Sequence, residues 1–196
     1  MKKFFSLLII AACLFTTTAA FAAFKEDITE DANISAVKRL AVALPMHYKT
    51  EDAEPTRDEL TQIMFEAGNV ARCYVIPYEE IAANIRKETG VDITVLSDAE
   101  ARKVYGEHVK KYADAFVTVT TANNIKKVQF FFEIQNAQDG NLMYVLTTQS
   151  GDIKKDAKGY KKACEDFYKK FDAAVEKSIK DAEKKSKDAE KKNKKK

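Results

Sequence analysis

Bulky apolar residues that alternate with small or polar ones predict the strands of this chain. The clearest alternation is at residues 128–135, where every second side chain is Val, Phe or Ile. Proline ends the first strand near Pro45 and the second at Pro77, because proline cannot donate to a strand ladder. The predicted strands cover residues 40–46, 70–76, 115–121, 128–135 and 142–148.

Apolar residues at helical spacing, framed by start and stop signals, predict the helices. Thr56 with Glu59, and Ser97 with Glu100, match the capping box, in which a hydroxyl and a carboxylate satisfy free N–H groups at a helix start. Gly68 and Gly90 are predicted stops, since glycine adopts the left-handed conformation that ends a helix. The predicted helices cover residues 57–67, 78–89, 98–112 and 160–179.

The order of these elements is β-α-β-α-α-β-β-β-α. Helical crossovers between the early strands favour parallel pairing, whereas the predicted turns at Asn123-Asn124 and Asp139-Gly140 impose antiparallel pairing on the late strands. The sequence therefore predicts an α/β (α+β) fold, with a mixed sheet of about five strands, helices packed on it and a long C-terminal helix.

The first 22 residues carry the pattern of a secretory signal peptide. Lys2 and Lys3 precede an apolar run from Phe4 to Leu14, and Ala20-Phe21-Ala22 supplies the cleavage site. The alternative is cleavage before Cys13, which would then be the lipidated first residue of the mature chain. That cleavage would leave a leader shorter than usual. We expect an exported chain that is soluble after cleavage near Ala22, in the periplasm or cell envelope.

The rest of the chain divides by pattern into three parts. Residues 23–37 form a polar lead-in, residues 38–179 a single α/β domain, and residues 180–196 a Lys-rich tail that is helical or disordered. Loss of Lys2 and Lys3 with the leader lowers the formal charge from +3 to +1. Residues 177–196 carry a net charge of +6, so the body that precedes them carries −5. An acidic body that is exported does not suit nucleic acid as a partner.

Four short segments resemble a known family of periplasmic domains. They are Lys38-Arg39-Leu40-Ala41-Val42-Ala43-Leu44-Pro45, Tyr74-Val75-Ile76-Pro77-Tyr78-Glu79-Glu80-Ile81, Tyr112-Ala113-Asp114-Ala115-Phe116-Val117 and Asn136-Ala137-Gln138-Asp139-Gly140-Asn141. Over residues 38–176 the chain resembles the α/β domain of the TolB N-terminal region, the curli-secretion channel subunit and penicillin-binding-protein activator lipoproteins. The resemblance implies an envelope location and protein-binding work; it does not imply an enzyme and names no partner. Many members are lipoproteins, and Cys13 is poorly placed to make this chain one.

The sequence offers no strong catalytic or metal-binding pattern. His47 and His108 are the only histidines, and His108 falls on the inward stripe of its helix, as a partly buried structural histidine would. Zinc would need three or four grouped ligands, and neither a Gly-x-Ser-x-Gly elbow nor a phosphate-binding loop is present. We expect no cofactor and no bound metal.

The carboxyl ends of the parallel strands are where a site is expected. Ligands of open α/β sheets bind in the crevice at those ends, which carry His47 and Tyr48 after the first strand and Tyr78 and Glu79 after the second. Tyrosine is a frequent interface anchor, so these four residues are candidate partner-binding residues. Their alternative is an ordinary loop role, with Glu79 opposing the helix dipole.

Two cysteines, Cys73 and Cys164, remain after processing. Because an exported chain meets an oxidising compartment, the two cysteines are a candidate disulfide. The bond requires that the last helix, which carries Cys164, cover the sheet face that Cys73 shares with Val75. Two buried free thiols are the alternative.

Two function hypotheses follow. The first is a cell-envelope binding or adaptor protein that acts through contacts with an envelope protein, and the second is a small extracytoplasmic hydrolase with a dispersed site. The Lys-rich tail is either a solvated helical extension or an attachment to anionic envelope polymers or lipid head groups.

Overall fold

A computed structural model describes residues 25–48, 55–124, 127–150 and 156–193. The leader, its cleavage site and Cys13 lie outside these residues. So do the side chain of Tyr48 and the last three lysines.

A seven-stranded mixed sheet forms the centre of the molecule, with the spatial order β1-β7-β6-β5-β2-β4 and with β3 also paired to β5. The strands are β1 (Lys25–Ile28), β2 (Arg39–Val42), β3 (Met46–Tyr48), β4 (Tyr74–Ile76), β5 (Ala115–Asn124), β6 (Lys127–Asn136) and β7 (Leu142–Ser150). The described helices are α1 (Arg57–Ala67), α2 (Tyr78–Thr89), α3 (Asp98–His108) and α4 (Ala157–Asn193).

The pairing directions confirm the α/β fold with a mixed sheet. β2 runs parallel to both β4 and β5, whereas β5, β6 and β7 pair antiparallel in succession. Asp114 fixes the junction of the two halves, because its carboxylate accepts the backbone N–H groups of Lys38 and Arg39 at 3.0 and 2.8 Å. Both predicted capping boxes, at Thr56 and Ser97, are present.

The larger core lies between one face of the sheet and the helices α1 and α4. Phe132 of β6 stacks on Phe167 of α4 with ring centroids 4.4 Å apart, and Phe130 meets Tyr160 edge to face at 5.2 Å. The hydroxyl of Tyr168 donates to the carbonyl of Met64 at 3.1 Å and so ties α4 to α1. The predicted apolar stripe of the last helix is therefore the stripe that covers the sheet.

The second face of the sheet is only partly covered. The helices α2 and α3 pack over β2 and β4 in a smaller apolar cluster that includes Ala41, Ile76, Ile81 and Tyr105. Neither apolar cluster includes the side chains of β6 and β7 that point to this face. Those side chains, half-buried and of mixed character, are Phe131, Glu133, Gln135, Val145 and Thr147.

Several predicted strand boundaries were wrong. The lead-in contains β1, whose sequence Lys-Glu-Asp-Ile has no apolar alternation because it is an exposed edge strand held by backbone pairing to β7. The predicted first strand is two strands, β2 and β3, separated by residues 43–45 around Pro45. Residues 70–73 do not belong to the second strand, because a 3-10 turn occupies Gly68–Val70. Asn123 and Asn124 belong to β5, so the turn predicted at these two residues was wrong.

The two predicted helix stops differ in conformation. Gly90 ends α2 with a left-handed φ of 76°, as expected. Gly68 has a right-handed φ of −61°, so the expectation of a left-handed stop was wrong there. Close packing requires glycine at position 68 instead, because a Cβ atom there would lie 2.8 Å from the side chain of Val75.

Cys73 and Cys164 are free thiols in the structure. One is part of the larger core and the other packs against it, as the disulfide hypothesis requires, and a bond between them in the exported protein stays a prediction. Burial raises the pKa of the half-buried Cys73 to about 11 and raises that of the fully buried Cys164 further. Both thiols are therefore protonated and unreactive at neutral pH.

The last helix continues through the Lys-rich tail to Asn193. Its last buried residue is Ala174, and residues 180–188 are exposed. None of the described helices is both long and apolar enough to cross a membrane.

Candidate functional site

Three side-chain hydrogen bonds attach α3 to the carboxyl end of β2. The hydroxyl of Tyr105 donates to the carbonyl of Val42 at 2.8 Å. The guanidinium of Arg102 donates to the carbonyls of Leu44 and Pro45 at 2.9 Å each. These bonds satisfy carbonyl groups that leave the strand ladder at Pro45, and they hold α3 at the boundary between the covered and uncovered parts of the sheet.

A cavity of about 400 Å³, the α3 groove, lies along this boundary. Arg102, Lys103, Gly106 and Glu107 of α3 form one side of the groove. Residues of β5 and β6 line its other side, among them Phe116, Thr118, Glu133 and Gln135. Such a volume accommodates an amino-acid side chain with the backbone next to it.

Glu133 is the acidic group of the sheet side of this groove. It lies opposite Thr118 of β5 and Val145 of β7, and its side chain is half-buried. Burial raises the pKa of Glu133, and no neighbouring charge contributes to the shift. The carboxyl is thus partly desolvated without a compensating cation in the described part of the chain.

An aromatic row forms the wall of the α3 groove nearest to β2. Tyr78 stacks on Tyr105 with centroids 5.5 Å apart, and Tyr105 meets Phe116 edge to face at 6.0 Å. Tyr78 is 5% exposed, and its hydroxyl has no hydrogen-bond partner among the described residues. Burial raises the pKa of Tyr78 to about 12, so this hydroxyl is protonated at neutral pH.

A second, more open cleft of about 350 Å³ surrounds His47. Thr56, Arg57 and Asp98 also line it, and Arg57 forms an ion pair with Asp98. The Nδ1 atom of His47 lies 3.0 Å from the hydroxyl of Thr121 on β5. Residues that follow the parallel strands thus line both cavities: Pro45 and His47 line this cleft, and Leu44 and Tyr78 line the α3 groove.

The structure separates the four sequence-predicted site residues. His47 lines the second cleft, and the backbone of Tyr48 pairs with Ala122 at the end of β3. Glu79 is exposed in the first turn of α2. Tyr78 is buried in the first turn of α2, where its ring packs against Tyr105 inside the smaller core.

Sequence reasoning missed Arg102, Gly106 and Glu133. The alternation of residues 128–135 placed Glu133 on a polar strand face, which sequence alone gives no reason to distinguish from a solvated one. Phe131 on that same face was a usable signal, since a large aromatic is unusual on a strand face that meets only water. Gly106 in the interior of a predicted helix was another.

Among the described residues, no three His, Cys, Asp or Glu side chains are grouped so as to hold a metal ion. His108 is half-buried at the end of α3, as predicted for a structural histidine.

Comparison with known proteins gives structural similarity only. No family model matches the sequence, and no curated protein matches it significantly. The PelC dodecamer from Paraburkholderia phytofirmans aligns at 9% identity over 78% of this chain and 98% of that chain, with a TM-score of 0.44. The LpoB C-terminal domain from Escherichia coli aligns at 10% identity over 72% and 93%, with a TM-score of 0.45.

Lipoprotein GNA1162 from Neisseria meningitidis aligns at 13% identity over 58% of this chain and 79% of that chain, with a TM-score of 0.40. All three TM-scores are below 0.5, so these similarities assign neither a family nor a function to the chain. The family resemblance of the sequence segments stays a prediction.

Proposed function

We propose that this chain is an exported cell-envelope binding or adaptor protein that acts through contacts with another protein. The α3 groove is the observation that carries the proposal. It joins an aromatic wall to a few polar groups, next to a part of the sheet that neither apolar cluster covers. Concave sites with apolar walls and a few placed polar groups are typical of ligand recognition.

The leader supports the location of this function. A positive end, an apolar run and the Ala20-Phe21-Ala22 site direct a chain to export. The acidic body then meets partners outside the cytoplasm, where its charge of −5 favours basic surfaces.

The alternative of a hydrolase built on His47 is less well supported. The hydroxyl next to its ring belongs to Thr121, which is 0% exposed and lies inside the sheet, out of reach of a substrate. Asp98, which lines the same cleft, is ion-paired with Arg57. A nucleophile must face the substrate while it contacts its base, and Thr121 does not.

Affinity purification from envelope extracts with the mature chain as bait tests the proposal. We expect one partner to be enriched reproducibly by the wild-type chain and not by a heat-denatured sample. The purified chain is assayed in parallel on ester, amide and glycoside substrates. Turnover that His47→Ala abolishes, or the absence of any reproducible partner, would overturn the binding function.

The tail suggests a second contact, with anionic envelope polymers or lipid head groups. Lys180, Lys184 and Lys187 are exposed and share one side of α4, because their spacing of four and three residues follows the helical turn. Vesicle sedimentation measures this contact: binding to anionic vesicles should fall with added salt and vanish when the chain ends at Ile179. Binding to neutral vesicles that matches binding to anionic ones would contradict it.

A further inference from the structure

The carboxyl of Glu133 lies without a cation in the α3 groove. Burial is the only cause of its raised pKa, and no described residue forms an ion pair or hydrogen bond with its side chain. A half-buried carboxylate costs free energy unless it is paired or hydrogen-bonded. The position therefore suits a positive group that no described residue of the chain supplies.

The basic residues of the groove are already engaged or lie outside its interior. The guanidinium of Arg102 is directed to the carbonyls of Leu44 and Pro45, and it does not act on the pKa of Glu133. Lys103 is exposed on α3, one helical turn before the exposed Glu107, a spacing at which opposite charges offset each other. The uncompensated charge of the groove is thus the negative charge of Glu133.

Gly106 gives the groove its width on the helix side. It lies in the last turn of α3, and glycine within a helix is less stable than alanine by up to about 1 kcal/mol. Packing does not require glycine there, because a Cβ atom at Gly106 would meet nothing within 4 Å. The open space beside Gly106 is part of the α3 groove.

The hydroxyl of Tyr78 supplies a second unsatisfied group. Tyr78 lines the same groove and is only 5% exposed. Its hydroxyl has no hydrogen-bond partner among the described residues. This hydroxyl is enclosed by its neighbours, as that of Thr121 is, so the unpaired group of the groove that a partner side chain can reach is the carboxyl of Glu133.

We propose that the α3 groove receives a lysine or arginine side chain from an extended segment of a partner protein, with the carboxylate of Glu133 as the ion-pair acceptor. This inference deepens the proposed function and rests on it, since it requires a protein partner. The negative charge of the body, −5, favours the approach of such a segment.

Peptide pools test the recognition directly. The probes are acetylated, amidated heptapeptides, random except for a central Lys, Arg, norleucine or Glu, and binding to the mature chain is measured by fluorescence anisotropy. The Lys and Arg pools should bind at least about tenfold more tightly than the norleucine and Glu pools. Equal binding by the Lys and norleucine pools, or no binding by any pool, would overturn the inference.

Two variants with matched controls locate the binding. Glu133→Gln keeps the shape of the side chain, and it should reduce binding of the Lys pool to that of the norleucine pool. Gly106→Phe should fill the groove and abolish binding, whereas Gly106→Ala should retain it. Preserved discrimination in Glu133→Gln would place the basic side chain elsewhere. Because Glu133→Gln and Gly106→Phe act at different places, misfolding of one variant leaves the other decisive.

A second copy of this chain is the competing occupant, since its tail is rich in lysine. Sedimentation of the wild-type chain at rising concentration measures self-association. Self-association that Glu133→Gln or loss of residues 180–196 abolishes would contradict the proposal, whereas a monomer at all concentrations agrees with it. If envelope extracts yield a partner that Glu133→Gln still binds, this inference fails and the adaptor function stands.

Discussion

Glu133 occupies a position that lowers the stability of the folded chain at neutral pH. Burial raises its pKa in the folded state, so the unfolded chain ionises first as the pH rises. The unfolded state then binds fewer protons than the folded state, and stability is lost between the unfolded pKa and the raised folded pKa. Loss of stability at a half-buried acidic residue is typical of a functional site.

Glu133→Gln should therefore raise the melting temperature at pH 7, because an amide is neutral at every pH. The gain should shrink as the pH falls and vanish below about pH 4, where the carboxyl is neutral in both states. Thermal unfolding of both proteins followed by circular dichroism between pH 3 and 8 measures the difference. A variant less stable than wild type at pH 7 would show that the carboxylate is paired in the folded protein.

Gly68 and Gly106 should respond in opposite ways to substitution by alanine. Gly68→Ala brings a Cβ atom to within 2.8 Å of Val75, so it should destabilise the fold by about 1–3 kcal/mol. Gly106→Ala meets no neighbour within 4 Å and should stabilise α3 by up to about 1 kcal/mol. Urea denaturation of the two variants gives both free energies. Equal changes in both variants would contradict the packing described here.

At the scale of elements, α4 should tolerate loss of its tail. Beyond Ala174 no described residue of this helix is buried, so a chain that ends at Ile179 should melt within about 2 °C of the full mature chain. A chain that ends at Lys170 is the control, because it also lacks the buried Phe171 and Ala174 and should lose about 3–5 kcal/mol. A large loss at Ile179 would show that the tail packs on the body.

The elements that the sequence could predict are those determined by local chemistry. Capping at Thr56 and Ser97 depends on residues within one turn, and the alternation at 128–135 depends on a single buried face. The edge strand β1 has no such pattern, because it is held to β7 by backbone pairing and by one hydrogen bond from the hydroxyl of Tyr144 to Glu26, and not by burial of an apolar face. Glu133 could not be assigned to a site because its relation to α3 arises only when both pack on the sheet.

At the scale of the whole molecule, the predicted leader determines where we expect the fold to act. We expect the exported chain to begin at or near Ala23 without lipid, because Ala20-Phe21-Ala22 follows a leader of ordinary length. N-terminal sequencing and intact mass of the exported protein measure this. A mass that corresponds to a diacylated Cys13 would make the chain a lipoprotein instead.

The central claim is that a protein partner occupies the α3 groove, and photo-crosslinking in the producing cell tests it most directly. A benzoylphenylalanine replaces Lys103 at the rim of the groove or, as a matched control, the exposed Lys169 on α4. Both changes remove one lysine from the surface of a helix, so they differ only in position. We predict one discrete adduct with another protein from position 103 and none from position 169. The absence of an adduct at 103, or the same adduct from both positions, would contradict the account.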